Sequence, residues 1–155
     1  MSTYTVVTGS GVDAYPADLA GLYAVTATLD FTDINSGAGT VQNDIVQLIQ
    51  VPANTLVLGV SFSVTTASSN MADFDIGDDA TTDGYIDGAS MATVNDGCSW
   101  VTTFNEAAPN TVLDAFSLGK FYTAANTIDL KQNTNATVIT GVLKVKAVMI
   151  DMNIY

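Results

Sequence analysis

A chain of 155 residues with 48% hydrophobic and only 13% charged residues is long enough for one domain with a real core, and too apolar for a disordered segment. Its 16 acidic residues stand against 4 lysines, with no His and a net charge of −12; such a balance repels phosphate backbones and anionic lipid headgroups, so neither nucleic acid nor membrane is an expected partner. The single cysteine, Cys98, forbids an intrachain disulfide, leaves no zinc site in the absence of His, and reads beside Trp100 as a small apolar filler.

Glu106 is the only Glu, and a carboxylate inventory made almost wholly of Asp favours turns over helices. The opening MSTYTVVTGSG has no basic region followed by an apolar run, and no segment reaches the roughly 18 apolar residues of a membrane span. The expectation is a soluble protein made without a Sec-type signal. In residues 1–21, Gly9, Gly11, Pro16 and Gly21 interrupt scattered Val6, Val7, Val12, Tyr15 and Leu19. This pattern predicts an extended arm that either packs on its own domain or reaches a neighbour, followed by a single domain over residues 22–155.

From Leu22 the period is two. Tyr23, Val25, Ala27, Leu29 and Phe31 alternate with smaller or polar residues, which predicts a half-buried strand ending at the turn residues Asp33 to Gly39. Residues 44–51 predict a second strand, apolar on both faces at Ile45, Val46, Leu48 and Ile49. Pro52 removes a ladder donor, so VPANT is a turn or break. Leu56, Leu58, Val60, Phe62 and Val64 then mark the core face of a strand from Thr55 to Thr66, roughly 40 Å long and able to cross a whole sandwich. Only Val57 falls out of phase.

Phe74 and Ile76 predict a short strand stopping at Gly77, and an acidic loop runs to Gly88 with Tyr85 and Ile86 as its apolar anchor. Short strands are expected at Ser99 to Phe104, Thr111 to Phe116 and Lys120 to Tyr122, with a turn from Glu106 to Asn110. Strands at Thr127 to Lys131 and Thr137 to Asn153 close the chain. In the last one, Ile139, Leu143, Val145, Ala147 and Met149 share a face opposite Lys144 and Lys146, which read as edge protection or as partners for Asp. Beyond Ala147 the other face also turns apolar, with Val148, Ile150 and Met152; a bulge or a partner subunit would account for that. About eight strands without a 3.6-residue period predict an all-β antiparallel sandwich, a jelly roll ahead of an immunoglobulin-like alternative.

The chemistry the residues offer is thin. Asp73, Asp75, Asp78, Asp79, Asp83 and Asp87 supply the paired carboxylates a glycosidase uses, but any acidic loop shows such spacing. Asp73, Asp75, Asp78 and Asp79 could bind Ca²⁺ weakly; an EF-hand from Asp73 fails because its fifth, sixth and twelfth positions are Gly77, Asp78 and Gly84. The simpler account has Asp73 and Asp75 facing water by alternation with Phe74 and Ile76. Ser99 and Cys98 lack a His base, and TGSG lacks the Lys of a phosphate loop. Asn135-Ala136-Thr137 fits a glycosylation acceptor only in a secretory setting. Tyr4, Tyr15, Tyr23, Tyr85, Tyr122, Tyr155 and Trp100 are not spaced to form one sugar-binding platform. No catalytic, metal-ligating or cofactor-binding residue is assigned, no cofactor is expected, and the chain reads as a protein other than an enzyme.

The strand ending in VPANT, the following LVLGVSFSVTTA, the segment DFDIGDDATTDGYIDGA and the earlier LYAVTATLDF resemble the small jelly-roll virion proteins of tailed bacteriophages, the capsid decoration (cement) proteins and their relatives. The resemblance covers residues 22–90 best. It implies a homotrimer made in the bacterial cytoplasm that sits on the outer capsid surface, contacts the major capsid protein and holds neighbouring capsomers together. It carries over no individual functional residue, because the group's function is spread over contact surfaces. A phage adhesin or carbohydrate-binding module contacting the host remains the alternative.

Overall fold

The computed structural model describes residues 3–5, 12–14, 21–37, 40–68, 70, 73–94, 97–98, 119–134 and 139–154. Its strands are β1 (Thr3–Thr5), β2 (Val12–Ala14), β3 (Leu22–Asp30), β4 (Ile45–Val51), β5 (Thr55–Thr66), β6 (Phe74–Gly77), β7 (Ile86–Ala89), β8 (Gly97–Cys98), β9 (Lys120–Tyr122), β10 (Asn126–Gln132) and β11 (Val142–Asp151). Short 3-10 turns follow β3 and β11, and the described residues hold no α-helix. The strands expected at 99–104 and 111–116, and the turn at 106–110, lie outside the described residues.

Two sheets form the sandwich. The first has the order β1-β4-β10-β6-β7; the second has β2-β3-β11-β5-β8, with β9 also paired to β5. The first long strand thus lies beside the last, β3 on β11, and the second long strand, β4, lies beside β10. With β8 and β9 sharing one edge of β5, this is the winding of an eight-strand jelly roll, and it separates the fold from the immunoglobulin-like alternative. Within the expected arm, β1 runs parallel along β4 and β2 runs antiparallel to β3.

Local residue choice explains the key turns. Asn54 adopts φ 56° between β4 and β5, a left-handed conformation that Asn tolerates and that the VPANT turn requires. At the end of β6, a Cβ on Gly77 would lie 2.0 Å from the Thr81 carbonyl oxygen. Only glycine lets the segment after β6 fold back so tightly.

The inner faces of both sheets bury one apolar cluster. Phe62 of β5 meets Phe74 of β6 edge to face across the sandwich, with ring centroids 5.3 Å apart, a geometry aromatic quadrupoles favour. Leu143, Val145, Ala147 and Met149 of β11 are all fully buried, as their shared face predicts. Ile139 is buried too, but precedes the strand, which starts at Val142.

The alternation of β5 breaks where it looked continuous. Val148 of β11 pairs with Gly59, but the next residue, Met149, pairs with Val57, so Leu58 is an extra residue on β5. Such a bulge flips the strand's phase. Val57 is therefore fully buried, while Leu56 and Leu58, expected in the core, are only half-buried. The position of β11 also corrects the edge reading of Lys144 and Lys146, because β11 is central, flanked by β3 and β5.

Candidate functional site

The acidic segment after β6 is built as structure. Asp78, fully buried, accepts the backbone N–H groups of Ala80 (3.1 Å) and Thr81 (2.9 Å) on Oδ1. Its Oδ2 accepts from the Tyr122 hydroxyl at 2.9 Å and from the ammonium of Lys120. Burial pushes the Asp78 carboxyl up, but Lys120, Tyr122 and the Thr81 N–H outweigh it and hold the group below its ordinary value. Tyr122 and Tyr85 share a 3.0 Å hydroxyl contact, and burial raises both phenols well above the ordinary value. Tyr85 and Ile86 anchor the loop as the sequence indicates.

The remaining carboxylates separate. Asp75 is buried, against the alternation argument, and accepts the Gly88 N–H at 3.0 Å. Asp73, Asp79, Asp83 and Asp87 are exposed. Asp73 accepts from Asn133 at 3.4 Å, and Asp79 accepts from Asn126 at 2.8 Å. The four carboxylates that the sequence offered as a shared Ca²⁺ site in the loop are thus engaged by different partners. Among the described residues, no group of three or more Asp, Glu, Cys or His gathers as a metal site. Tyr23 packs against the core and Tyr85 and Tyr122 are buried in it, so they offer no sugar platform. The side chains of Tyr4, Tyr15, Cys98, Trp100 and Tyr155, with Ser99 and Asn135, lie outside the described ones.

The outer face of the second sheet is different in kind. Because Leu143 to Met149 alternate inward, Val142, Lys144, Lys146, Val148 and Ile150 face out. The ladders place Leu22, Ile150, Leu56 and Phe121 in one row across β3, β11, β5 and β9. Val148 and the bulged Leu58 stand in the next row. Phe121 is 49% exposed, and Leu22, Leu56, Leu58, Val148 and Ile150 are half-buried. Further along, the rows change to Thr26, Lys146 and Ser61, then Thr28, Lys144 and Ser63. The face is therefore apolar at one end and basic and hydroxylated at the other. An apolar patch spanning four strands is a candidate contact surface. The apolar run from Val148 pointed to it, and Val57 out of phase was the one trace of Leu56 and Leu58; Phe121 carried no sequence signal.

On the outer face of the first sheet, a cleft of about 450 Å³ is lined by Gln47, Gln50, Val51, Pro52, Asp79, Ala125, Asn126 and Thr127. Beside it, Asp129 pairs with Gln47 on β4 and with Gly77 on β6. Asp129 is 3% exposed, and its Oδ1 has no hydrogen-bond partner. Burial, followed by the nearby Asp79 and Asp78 charges, raises its carboxyl above the ordinary value despite the Thr127 hydroxyl. The sequence reading passed over Asp129 because alternation with Ile128 and Leu130 makes it look like an ordinary solvent-facing strand residue.

No protein-family model matches the chain, and no curated protein sequence matches it. Among solved structures, a chain of the capsid of Ralstonia phage GP4 shares the fold with a TM-score of 0.58 at 8% identity, over 89% of each chain. A chain of the cyanophage Pam1 capsid asymmetric unit does so with a TM-score of 0.54 at 16% identity, over 94% of this chain and 95% of that one.

Proposed function

We propose that this chain is a structural virion protein of a tailed phage, one that binds the outer capsid surface as a homotrimer and holds neighbouring capsomers together through contacts with the major capsid protein. The observation that carries the proposal is the row Leu22, Ile150, Leu56 and Phe121 on the outer face of the second sheet. Completing the burial of such half-exposed side chains contributes roughly 0.5–1.5 kcal/mol each before the cost of association. Closed cyclic symmetry buries a strip of this kind once per subunit. The fold likeness to chains of two phage capsids, end to end in both directions, supports the virion setting. A non-enzymatic role is consistent with the use of the acidic segment, whose buried carboxylates Asp75 and Asp78 are engaged by backbone and side-chain donors. Residues 1–21 add contacts to the capsid or to an adjacent subunit. Light scattering for the oligomeric mass, followed by co-sedimentation with capsids stripped of the protein, tests the proposal. A monomer that stays in the supernatant contradicts it.

A further inference from the structure

The four lysines of a chain of net charge −12 are not spread evenly over it. Lys120 is bonded to the buried Asp78, and Lys131 lies on β10 in the first sheet. Lys144 and Lys146 stand two residues apart on the outer face of β11, roughly 7 Å from each other along the strand. Lys144 is exposed and Lys146 half-buried, and among the described residues the ion pair formed is that of Lys120 with Asp78, not one with either of these two. Their row neighbours are Thr26 and Ser61, then Thr28 and Ser63, hydroxyls that carry no countercharge. Asp30, in the following row beside Val142, is turned to Thr32, accepting its N–H at 2.9 Å. Because β11 is central, edge protection does not account for a pair of like charges here.

A matching negative surface exists on the same molecule, out of reach of these lysines. Asp79, Asp83 and Asp87 are exposed on and beside the segment after β6. That segment is held firmly: the Gly84 N–H donates to the Thr81 carbonyl at 3.1 Å, the Tyr85 N–H donates to the Ile76 carbonyl at 2.9 Å, and Asp78 fastens it to Lys120 and Tyr122 of β9. β9 meets β5 at Thr55 to Val57. Lys146 and Lys144 pair with Ser61 and Ser63 of that strand, roughly 14 and 20 Å beyond Val57, and Asp87 belongs to β7 of the other sheet. The acidic segment therefore sits at the β9 edge of the sandwich, while the lysine pair sits far along one face.

We propose that the end of this face carrying Lys144 and Lys146 is the docking site for the acidic segment of a second copy of this chain, with Asp83 and Asp87 of one subunit meeting the two lysines of the next. The inference rests on the homotrimer reading and names the surfaces that build it. An edge that docks on a face is a heterologous contact, since the two patches differ, and repetition of such a contact closes into a ring when the rotation allows. The apolar row supplies the burial, and the charged end fixes which edge meets the face and in what register, as complementary charges do at interfaces. A second copy fits better than a chain of unknown charge because each subunit brings both the firmly held carboxylates and the lysines that lack a partner.

The test uses the full chain and follows the oligomeric mass by light scattering on dilution, at neutral pH and low ionic strength, where exposed charges are least screened. The double variant Lys144→Glu, Lys146→Glu is expected to raise the concentration at which the trimer dissociates by about tenfold or more. Asp83→Lys, Asp87→Lys makes the chain less negative, so overall repulsion alone would tighten assembly; the proposal predicts a weakening of similar size instead. Combining all four substitutions should restore assembly to within about threefold of wild type. All the positions face outward, and each variant should melt within about 3 °C of wild type; if Lys146→Glu costs the fold, the exposed Lys144→Glu alone should weaken assembly by about threefold. A trimer of unchanged strength in either reversal, or no restoration in the fourfold variant, overturns the proposal and leaves the homotrimer standing. A lysine reversal that keeps the trimer but no longer pellets with stripped capsids assigns this end of the face to the capsid and overturns it as well. A monomeric wild type overturns the homotrimer reading and this inference with it.

Discussion

Replacing Lys120 with Met tests whether the Asp78 cluster holds the acidic segment in place. Asp78 is fully buried and Lys120 is its counterion, with a side chain 25% exposed; the ammonium also lies 4.9 Å from the centroid of the Tyr122 ring. Removing one partner of a buried ion pair commonly costs about 3–5 kcal/mol. Here water can reach the vacated position, and Asp78 keeps the Ala80 and Thr81 N–H groups and the Tyr122 hydroxyl, so about 2–3 kcal/mol is expected. For a domain of this size that corresponds to a fall in melting temperature of roughly 4–12 °C. The pH dependence supplies the sharper test. Asp78 titrates below its ordinary value in the folded protein, so its stabilisation is present above the ordinary carboxylate range and is lost as pH falls through the depressed folded value. In Lys120→Met the opposing burial effect is no longer offset by the ammonium, and the carboxyl moves up. The stability gap between wild type and variant, measured by urea unfolding, should therefore be widest at neutral pH and narrow toward pH 3. A drop of less than 2 °C, or a gap constant across that range, refutes the reasoning.

Gly77→Ala would force a Cβ to within 2.0 Å of the Thr81 carbonyl oxygen and 2.5 Å of the Thr82 carbonyl carbon; with backbone on the receiving side, a loss of about 3 kcal/mol or more is expected by urea unfolding, and a loss under 1 kcal/mol would show that the turn rearranges freely. Deleting residues 1–21 is expected to weaken capsid co-sedimentation. Because β1 and β2 ladder onto β4 and β3, a fall in melting temperature above about 10 °C would assign the segment to the fold instead. Asp129→Asn, which removes a buried and unpartnered carboxylate oxygen, is expected to be more stable than wild type at neutral pH and to lose that advantage as pH is lowered, by urea unfolding. The raised folded value of Asp129 means that its penalty is present at neutral pH and is relieved as the wild-type carboxyl protonates; an advantage independent of pH would remove Asp129 from that role.

The long strands were legible because each carries its own evidence. β4 and β5 are bounded by Pro52 and Asn54, and β5 was delimited from Thr55 to Thr66 by alternation alone, as found. Their phase was less secure. One inserted residue, Leu58, moved Leu56 and itself from the core to the outer face, and alternation cannot register an insertion that depends on the partner strand β11. Asp75 failed for a related reason: period two says which side of β6 it leaves, not that the Gly88 N–H waits there. The Asp78 cluster joins residues 42 and 44 positions apart in sequence, and Asp129 meets Gln47 only through β10 lying against β4. Pairings of that separation leave no local pattern, so the acidic segment looked like a loop of solvated charge when part of it is a buried anchor.

The most direct test of the central claim is capsid co-sedimentation of wild type alongside the double variant Leu58→Ser, Phe121→Ser, with the oligomeric mass of each followed by light scattering. Both residues face outward on the second sheet, so the variant should melt within about 3 °C of wild type. The account predicts that wild type is a trimer that pellets with stripped capsids, and that the variant is a folded monomer left in the supernatant. A wild-type monomer with no affinity for capsids, or a variant that assembles and pellets as wild type does, would contradict it.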